Sequence, residues 1–329
     1  MRSSRGRVLL VGLGPTTESA LAGLVPSLEV IGLVRLPGSP EDRAATMATS
    51  LRIPIFADPS LAAIEQLVRE LEPDCVVVSS HDRVFPARLV GLCRFVNVHY
   101  ARLPSYRGRA TVNWAIINGE LATAITVHVL NPGLDAGNVL LQKLVPIEAT
   151  DNVGTLYAKL NELQKWHLGE VVRRHLDGDV GTPQDESKAS YCCTRIPRDG
   201  EIDWTKPATR IHDLIRALTP PYPGAFTYYG GQKLRVWRSE VPNYSQYVGI
   251  VPGRVVQVSR SAGYVDVLAA DRPVRLHEVQ VDGGHPVPAA DVITSTKDTL
   301  GIRVADLLAH IDDLARRLVE SQRAHGEDE

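Results

Sequence analysis

Cysteine, net charge and long apolar runs are all scarce in this chain of 329 residues. Its four cysteines, Cys75, Cys93, Cys192 and Cys193, are irregularly spaced. The adjacent pair Cys192–Cys193 makes neither a Cys-x-x-Cys knuckle nor an easy bridge. A disulfide framework is therefore excluded, and four reduced thiols are expected. The formal charge is −2, and residues 1–200 hold 21 Lys+Arg against 21 Asp+Glu, while 201–329 hold 15 against 17. Neither half is a basic domain of the kind that holds nucleic acid. No apolar stretch approaches the ~18 residues of a membrane span. Behind the basic start, the run 8–13 is broken by Pro15 and Glu18, which leaves it too short for a signal segment. A cytoplasmic protein is expected. Internal repeats and metal-ligand clusters are also missing, so no metal is expected.

What is present is ordinary for a globular chain: 44% apolar and 22% charged residues, at a length suited to two domains. Up to residue 150, short β-branched runs alternate with helical patterns. Residues 8–13, 29–35, 53–56, 75–79 and 95–98 read as buried parallel strands. Residues 17–25, 41–51, 61–70 and 85–91 read as helices, the second capped by Ser39 with Pro40 at its start and the third capped by Ser60. The alternation predicts an α/β fold with a doubly wound parallel sheet. A strand pair, 124–130 and 138–146, brackets a turn-rich loop, and 153–176 reads as one long helix. Beyond 200, strands at 234–237, 253–259, 264–269 and 274–281 are punctuated by Gly and Pro, which predicts a small OB-like β-barrel. The expected division is a catalytic domain over 1–200, a barrel over 201–302, and a terminal helix and tail over 303–329. In that tail Val304, Leu307, Ile311, Leu314 and Leu318 are spaced three and four apart. Packing on its own barrel is expected, with a homodimer seam as the alternative.

Gly12-Leu13-Gly14 follows the first strand, but Thr17 stands where a dinucleotide fingerprint needs its third glycine. A tight βα turn is the expected reading. The informative run is Asn97-Val98-His99. Alternation on a strand puts Asn97 and His99 on one face, at the carboxyl end where open α/β sheets bind ligands. An amide can donate to a developing oxyanion, and an imidazole can take a proton near neutral pH. The alternative for both is satisfaction by loop backbone. Asp135, in Leu134-Asp135-Ala136-Gly137, sits in the loop between two strands, where Asp-x-Gly alone usually marks a turn.

Together these residues carry a resemblance. From Asn97 to Gln142 the chain resembles folate-dependent N-formyltransferases, in which Asn-x-His, Leu-Pro-x-Tyr-Arg-Gly and Leu-Asp-x-Gly recur. A second block, Asp199 to Trp204, Ile211 to Ala217 and Pro221 to Tyr228, resembles the entry to the C-terminal domain of methionyl-tRNA formyltransferases. It looks still more like the enzyme that formylates UDP-4-amino-4-deoxy-arabinose, as do Arg107-Gly108-Arg109-Ala110, Asn113-Trp114 and Asn118-Gly119-Glu120. The resemblance implies 10-formyltetrahydrofolate as donor and a catalytic trio of Asn97, His99 and Asp135. It further implies a folate side formed by His81, Phe85, Gly133 and Leu134. The acceptor side would comprise Tyr100, Arg102, Tyr106, Arg107 and Arg109.

Tyr100-Ala101-Arg102 departs from the small-Ser-Leu run common in that family, and it is expected to face the acceptor amine. His128 reads as a packed core histidine. The stretch 35–43 is short and nearly neutral where tRNA-acting relatives carry a basic insertion, so tRNA is disfavoured. The expected acceptor is a small amine, first a nucleotide-linked amino sugar. An amino acid such as N-hydroxyornithine, or an aminoacyl group on a carrier protein, follows, and then Met-tRNA. A formyltetrahydrofolate hydrolase and a non-catalytic folate binder are the readings from other classes.

Overall fold

The computed structural model describes residues 6–36, 42–243, 246–302 and 304–326. Two compact units part between Arg195 and Ile196, slightly before the boundary expected at 200.

The first unit contains strands β1 Arg7–Val11, β2 Glu29–Val34, β3 Ile55–Phe56, β4 Cys75–Ser79, β5 Arg94–His99, β6 Arg107–Gly108, β7 Ala122–Val129, β8 Val139–Pro146 and β9 Tyr191–Cys192. Seven of them form one sheet in the order β3-β2-β1-β4-β5-β7-β8. The first five are parallel and wound in both directions from β1, while β7 runs antiparallel to β5 and pairs with β8 as a hairpin. A separate two-residue ladder joins β6 to β9. The strands are apolar on both faces because helices cover both faces. Leu9, Val11, Val76, Val78 and Phe95 pack with Ile64 and Val68, while their alternate neighbours Leu10, Val77 and Val96 are equally buried on the other face.

The helices of this unit are α1 Thr17–Leu24, α2 Arg43–Ser50, α3 Leu61–Leu71, α4 Ala87–Val90, α5 Thr111–Ile117 and α6 Val153–Leu176. Ser60 caps α3 as its sequence implies, accepting from the Ala63 N–H. α2 instead starts at Arg43 with Asp42 as its cap. Ser39 and Pro40 lie outside the described residues. The helix expected over 85–91 shrinks to the four residues of α4. α5 carries no sequence signal because it opens on Ala110 in a left-handed conformation, without a side-chain cap. The Gly12–Gly14 turn is tight, as expected. A Cβ on Gly14 would strike Ser80, and Arg35 Nη1 donates to the Gly12 carbonyl.

The second unit contains α7 Ala208–Ala217, strands β10 Ala225–Tyr229, β11 Gln232–Glu240, β12 Val255–Ser259, β13 Tyr264–Leu268, β14 Pro273–Val281 and β15 Val287–Pro288, then α8 Ala289–Val292 and α9 Val304–Gly326. The antiparallel path is β10-β11-β14-β13-β12, with β15 on β14. No regular strand pair among the described residues joins β10 to β12. The gap is bridged by 298–301, where the Gly301 N–H donates to Tyr228 O, Leu300 N–H to Gly253 O, and Val255 N–H to Asp298 O. The expected barrel thus closes through an irregular segment. Ile211 and Ile215 of α7 fill its core with Leu234, Val236, Val267 and Leu276. Among the described side chains of α9, the stripe expected to pack on the barrel does not. Leu307, Ile311, Leu314 and Leu318 remain 47%, 57%, 51% and 61% exposed.

Candidate active site

Strand register assembles the centre. Asn97 of β5 lies directly opposite His128 of β7. Side chains of such an antiparallel pair share a face and meet. Asn97 Nδ2 lies 3.1 Å from His128 Nε2 and 3.4 Å from Asp135 Oδ1. His128 Nδ1 is 2.9 Å from the Val129 carbonyl, so its proton sits there and Nε2 accepts from Asn97. His128 is fully buried, as a packed core histidine would be, and is also a member of the polar cluster, which no local pattern signals.

Asp135 follows β7 in a loop that brings its backbone to φ 49°. Among non-glycine residues Asp tolerates this left-handed region well. Gly137 is required two residues on, because a Cβ there would fall on the Val129 carbonyl. One hydrogen bond and two imidazole rings then surround the carboxylate. The Gly108 N–H donates to Oδ2 at 2.8 Å, while His99 Nδ1 lies 3.6 Å from Oδ2 and His128 Nε2 3.6 Å from Oδ1.

The two ring nitrogens of His99 have different neighbours. Nε2 is 2.8 Å from the Tyr106 carbonyl, so it carries the proton in the neutral ring. Nδ1 then carries the lone pair, 3.6 Å from Asp135 Oδ2. Burial pushes the His99 pKa below its ordinary value, partly offset by Asp135 and the Tyr106 carbonyl. Burial alone would raise Asp135, yet His99, His128 and the Gly108 N–H outweigh it and hold this carboxyl well below the usual range. At neutral pH the centre is therefore a neutral imidazole beside an ionised carboxylate, with the Asn97 amide next to the carboxylate.

Three side chains fix the loop that follows His99 by its carbonyl oxygens. Thr111 Oγ1 donates to Tyr100 O, Thr126 Oγ1 to Ala101 O and Gln142 Nε2 to Leu103 O, all within 2.9 Å. The trio opens onto a cavity of about 520 Å³, of the size that holds a ligand.

Family comparisons now bear on this geometry. Residues 57–172 match the formyl transferase family model and 196–297 match the formyl transferase C-terminal domain. A methionyl-tRNA formyltransferase of Bacillus licheniformis is 33% identical over 93% of this chain and 99% of its own length. One from Caldanaerobacter subterraneus is 34% identical over 69% of this chain and 76% of its own. The chain belongs to the formyltransferase family. Among solved structures, the sugar 3N-formyltransferase WlaRD, in the presence of dTDP and 5-N-formyl-THF, superposes with a TM-score of 0.63. It is 16% identical, over 86% of this chain and all of the other. That likeness is one of fold.

In this formyltransferase the residues expected on the folate side, His81, Phe85, Gly133 and Leu134, all line the cavity. Phe85 is buried against Phe95, and His81 stacks at a tilt on Phe85 with Nε2 on the Pro59 carbonyl. The residues expected to face the acceptor separate. Arg109 is exposed on the cavity wall. Tyr100 lines the cavity. Its hydroxyl turns inward, 2.7 Å from the amide oxygens of Asn161 and Gln164 of α6, and so is spent on packing. Arg102 points to solvent away from the cavity, because Ala101 and Leu103 on either side are the buried positions of that turn. Arg107 is 1% exposed and bound by Glu186, so it cannot meet an acceptor. Tyr106 gives its carbonyl to His99, while its hydroxyl donates to Glu120 outside the cavity.

All four cysteines are free. Cys192 lines the cavity, but burial pushes its thiol up to about 11, leaving it protonated at neutral pH. Among the described residues no group of His, Cys, Asp and Glu is placed to hold a metal ion, and no helix is long and apolar enough to cross a membrane.

Proposed function

We propose that this enzyme transfers the formyl group of 10-formyltetrahydrofolate to the primary amine of a small acceptor, a nucleotide-linked amino sugar. The convergence of Asn97, His99 and Asp135 at one mouth of the cavity carries the reaction. The cavity fits the donor: Val78, Phe85 and Leu130 give an apolar wall for a flat ring system, beside the polar trio. The donor supplies an activated formyl carbon whose bond to nitrogen is broken as the amine bonds to it. Asn97 Nδ2 gives up its longer contact to Asp135 and donates to the formyl oxygen as charge develops there. His99 Nδ1 accepts the amine proton, and its new N–H then points at Asp135 Oδ2, which stabilises the imidazolium. That proton returns to the departing folate nitrogen, so the enzyme ends as it began.

Charge argues for a small acceptor. The chain offers no basic half to an RNA backbone. The residues of 35–43 that bear on this are in part outside the described ones. Extended identity to methionyl-tRNA formyltransferases supports a second reading, transfer to Met-tRNA. A panel separates them: UDP- and dTDP-linked amino sugars, N-hydroxyornithine, an aminoacyl carrier protein and initiator Met-tRNA, each with the same donor. Formylation of an amino-sugar nucleotide is expected, with none of Met-tRNA. Efficient formylation of Met-tRNA would replace the first reading by the second. Tetrahydrofolate release at catalytic rates without any amine would instead indicate a hydrolase.

Arg109 has no hydrogen bond or ion pair among the described residues, and its planar fork suits a diphosphate. Arg109→Ala is expected to raise the acceptor KM at least about tenfold, the value of one charge-assisted bond. The folate KM should stay within about twofold. Steady-state kinetics with each substrate varied in turn checks both; an unmoved acceptor KM takes Arg109 out of the acceptor site.

A further inference from the structure

Between α6 and the end of the first unit, residues 182–192 run as a strap tied to both loops that build the catalytic centre. At its start the Thr182 and Val139 backbones exchange two hydrogen bonds on β8. At its end β9 pairs with β6, the Arg107 N–H donates to Ser190 O, and Ser190 Oγ accepts from the Tyr106 N–H. These bonds hold the loop that presents the Tyr106 carbonyl to His99 and the Gly108 N–H to Asp135.

The middle of the strap reaches the other loop. Gln184 Nε2 lies 2.7 Å from both the Asp135 carbonyl and the Gly137 carbonyl. It donates one amide proton to each, across the left-handed turn at Asp135. The amide cannot swing away, because its Oε1 accepts from Arg107 Nη2 at 2.8 Å. That guanidinium is fixed in turn by two bonds to the Glu186 carboxylate, at 2.8 and 2.6 Å, and by Tyr191. A buried arginine with both terminal nitrogens directed at the strap costs desolvation that surface packing alone would not require. The partners lie 77 and 79 residues away in sequence.

We infer that Gln184, braced by Arg107 and Glu186, is a positioning residue that sets the backbone of Asp135 so that its carboxylate faces His99. The inference deepens the proposed function and rests on it for the kinetic readout. Asp135 holds a left-handed backbone conformation that Asp adopts more readily than most residues, and bonds from its surroundings hold it there. The two Gln184 bonds are what bridges the turn from Asp135 to Gly137. With them gone, the carboxylate loses its fixed distance from Nδ1 of His99. His99 is faced by the Asp135 carboxylate, by His128 across the β5–β7 pair and by the Tyr106 carbonyl, and only the first of these moves.

The test compares Gln184→Ala and Glu186→Gln with the parent enzyme. Gln184→Ala removes both donors. It is expected to lower kcat by about 10- to 100-fold with the folate KM within twofold, and to move the His99 titration to lower pH. That titration is followed by NMR of the ring C2 proton in the protein alone, so it is read whether or not the acceptor has been identified. Glu186→Gln keeps a hydrogen-bonding group for Arg107 and is expected to fall between the two. An unchanged kcat and an unchanged His99 titration in Gln184→Ala would overturn the inference. So would a fall in melting temperature alone, with both readouts intact. If Gln184→Ala does not fold, Glu186→Gln decides by the same two measurements. If the parent transfers formyl to no amine, the proposed function fails, while the His99 titration still judges the strap.

Discussion

Replacing His99 by alanine is expected to lower kcat by two to four orders of magnitude, the usual worth of a positioned general base. Folate affinity should hardly change, because the ring is bound to the Tyr106 carbonyl and faces Asp135 rather than the apolar wall. Stopped-assay turnover with donor and acceptor saturating measures the loss; near-normal turnover would remove His99 from the mechanism. The pH profile carries the same mechanism. The base must be unprotonated to act, and burial places its pKa below the ordinary 6.5. The expected kcat therefore climbs as pH rises through that depressed pKa and is level by neutrality. Asp135→Asn takes away the charge that raises the imidazole, so its climb should begin at lower pH. Turnover of that variant should fall by a similar order, since the imidazolium formed during transfer is no longer stabilised.

Asn97→Ala is the second large effect. An amide hydrogen aimed at a developing oxyanion is worth about 2.7–4 kcal/mol, or roughly 100- to 1,000-fold in kcat. Donor KM should stay within a few-fold, because the interaction strengthens only in the transition state. Asn97→Asp keeps the shape but places a second carboxylate where Nδ2 lies 3.4 Å from Asp135 Oδ1. Repulsion then adds to the lost donor, so it should be the slower of the two variants. Retention of more than about a third of parental kcat in Asn97→Ala would show that the oxyanion is held by another group.

Much of this centre could be read along the chain, because its signals are local. Parallel strands covered on both faces leave unbroken apolar runs, and a period of two puts Asn97 and His99 on one side of β5. The loop glycine beside Asp135 is local too, and the close approach of Val129 O explains it. Other parts depended on register and long-range pairing. His128 meets Asn97 only because β7 is set opposite β5 in one particular alignment. Arg107 and Arg109 are two residues apart with similar chemistry. One is buried by partners in the strap and the other is left on the cavity wall, which no local pattern distinguishes. The alternation of side chains also ends with the strand. Past His99 the chain turns, so Tyr100 points into a polar network with α6 and Arg102 into solvent. The barrel-closing segment 298–301 has no strand period, since its bonds to β10 and β12 are those of a single crossing.

The loop after His99 is held by its oxygens: Thr111, Thr126 and Gln142 grasp the carbonyls of Tyr100, Ala101 and Leu103. Every residue type presents the same carbonyl, so this grip is blind to the side chains of 100–103. Only Arg102 is left open to exchange within this frame, because Tyr100, Ala101 and Leu103 are themselves buried. The base is thereby uncoupled from the identity of that one exposed residue, and a lineage can rewrite the surface there without rebuilding the base.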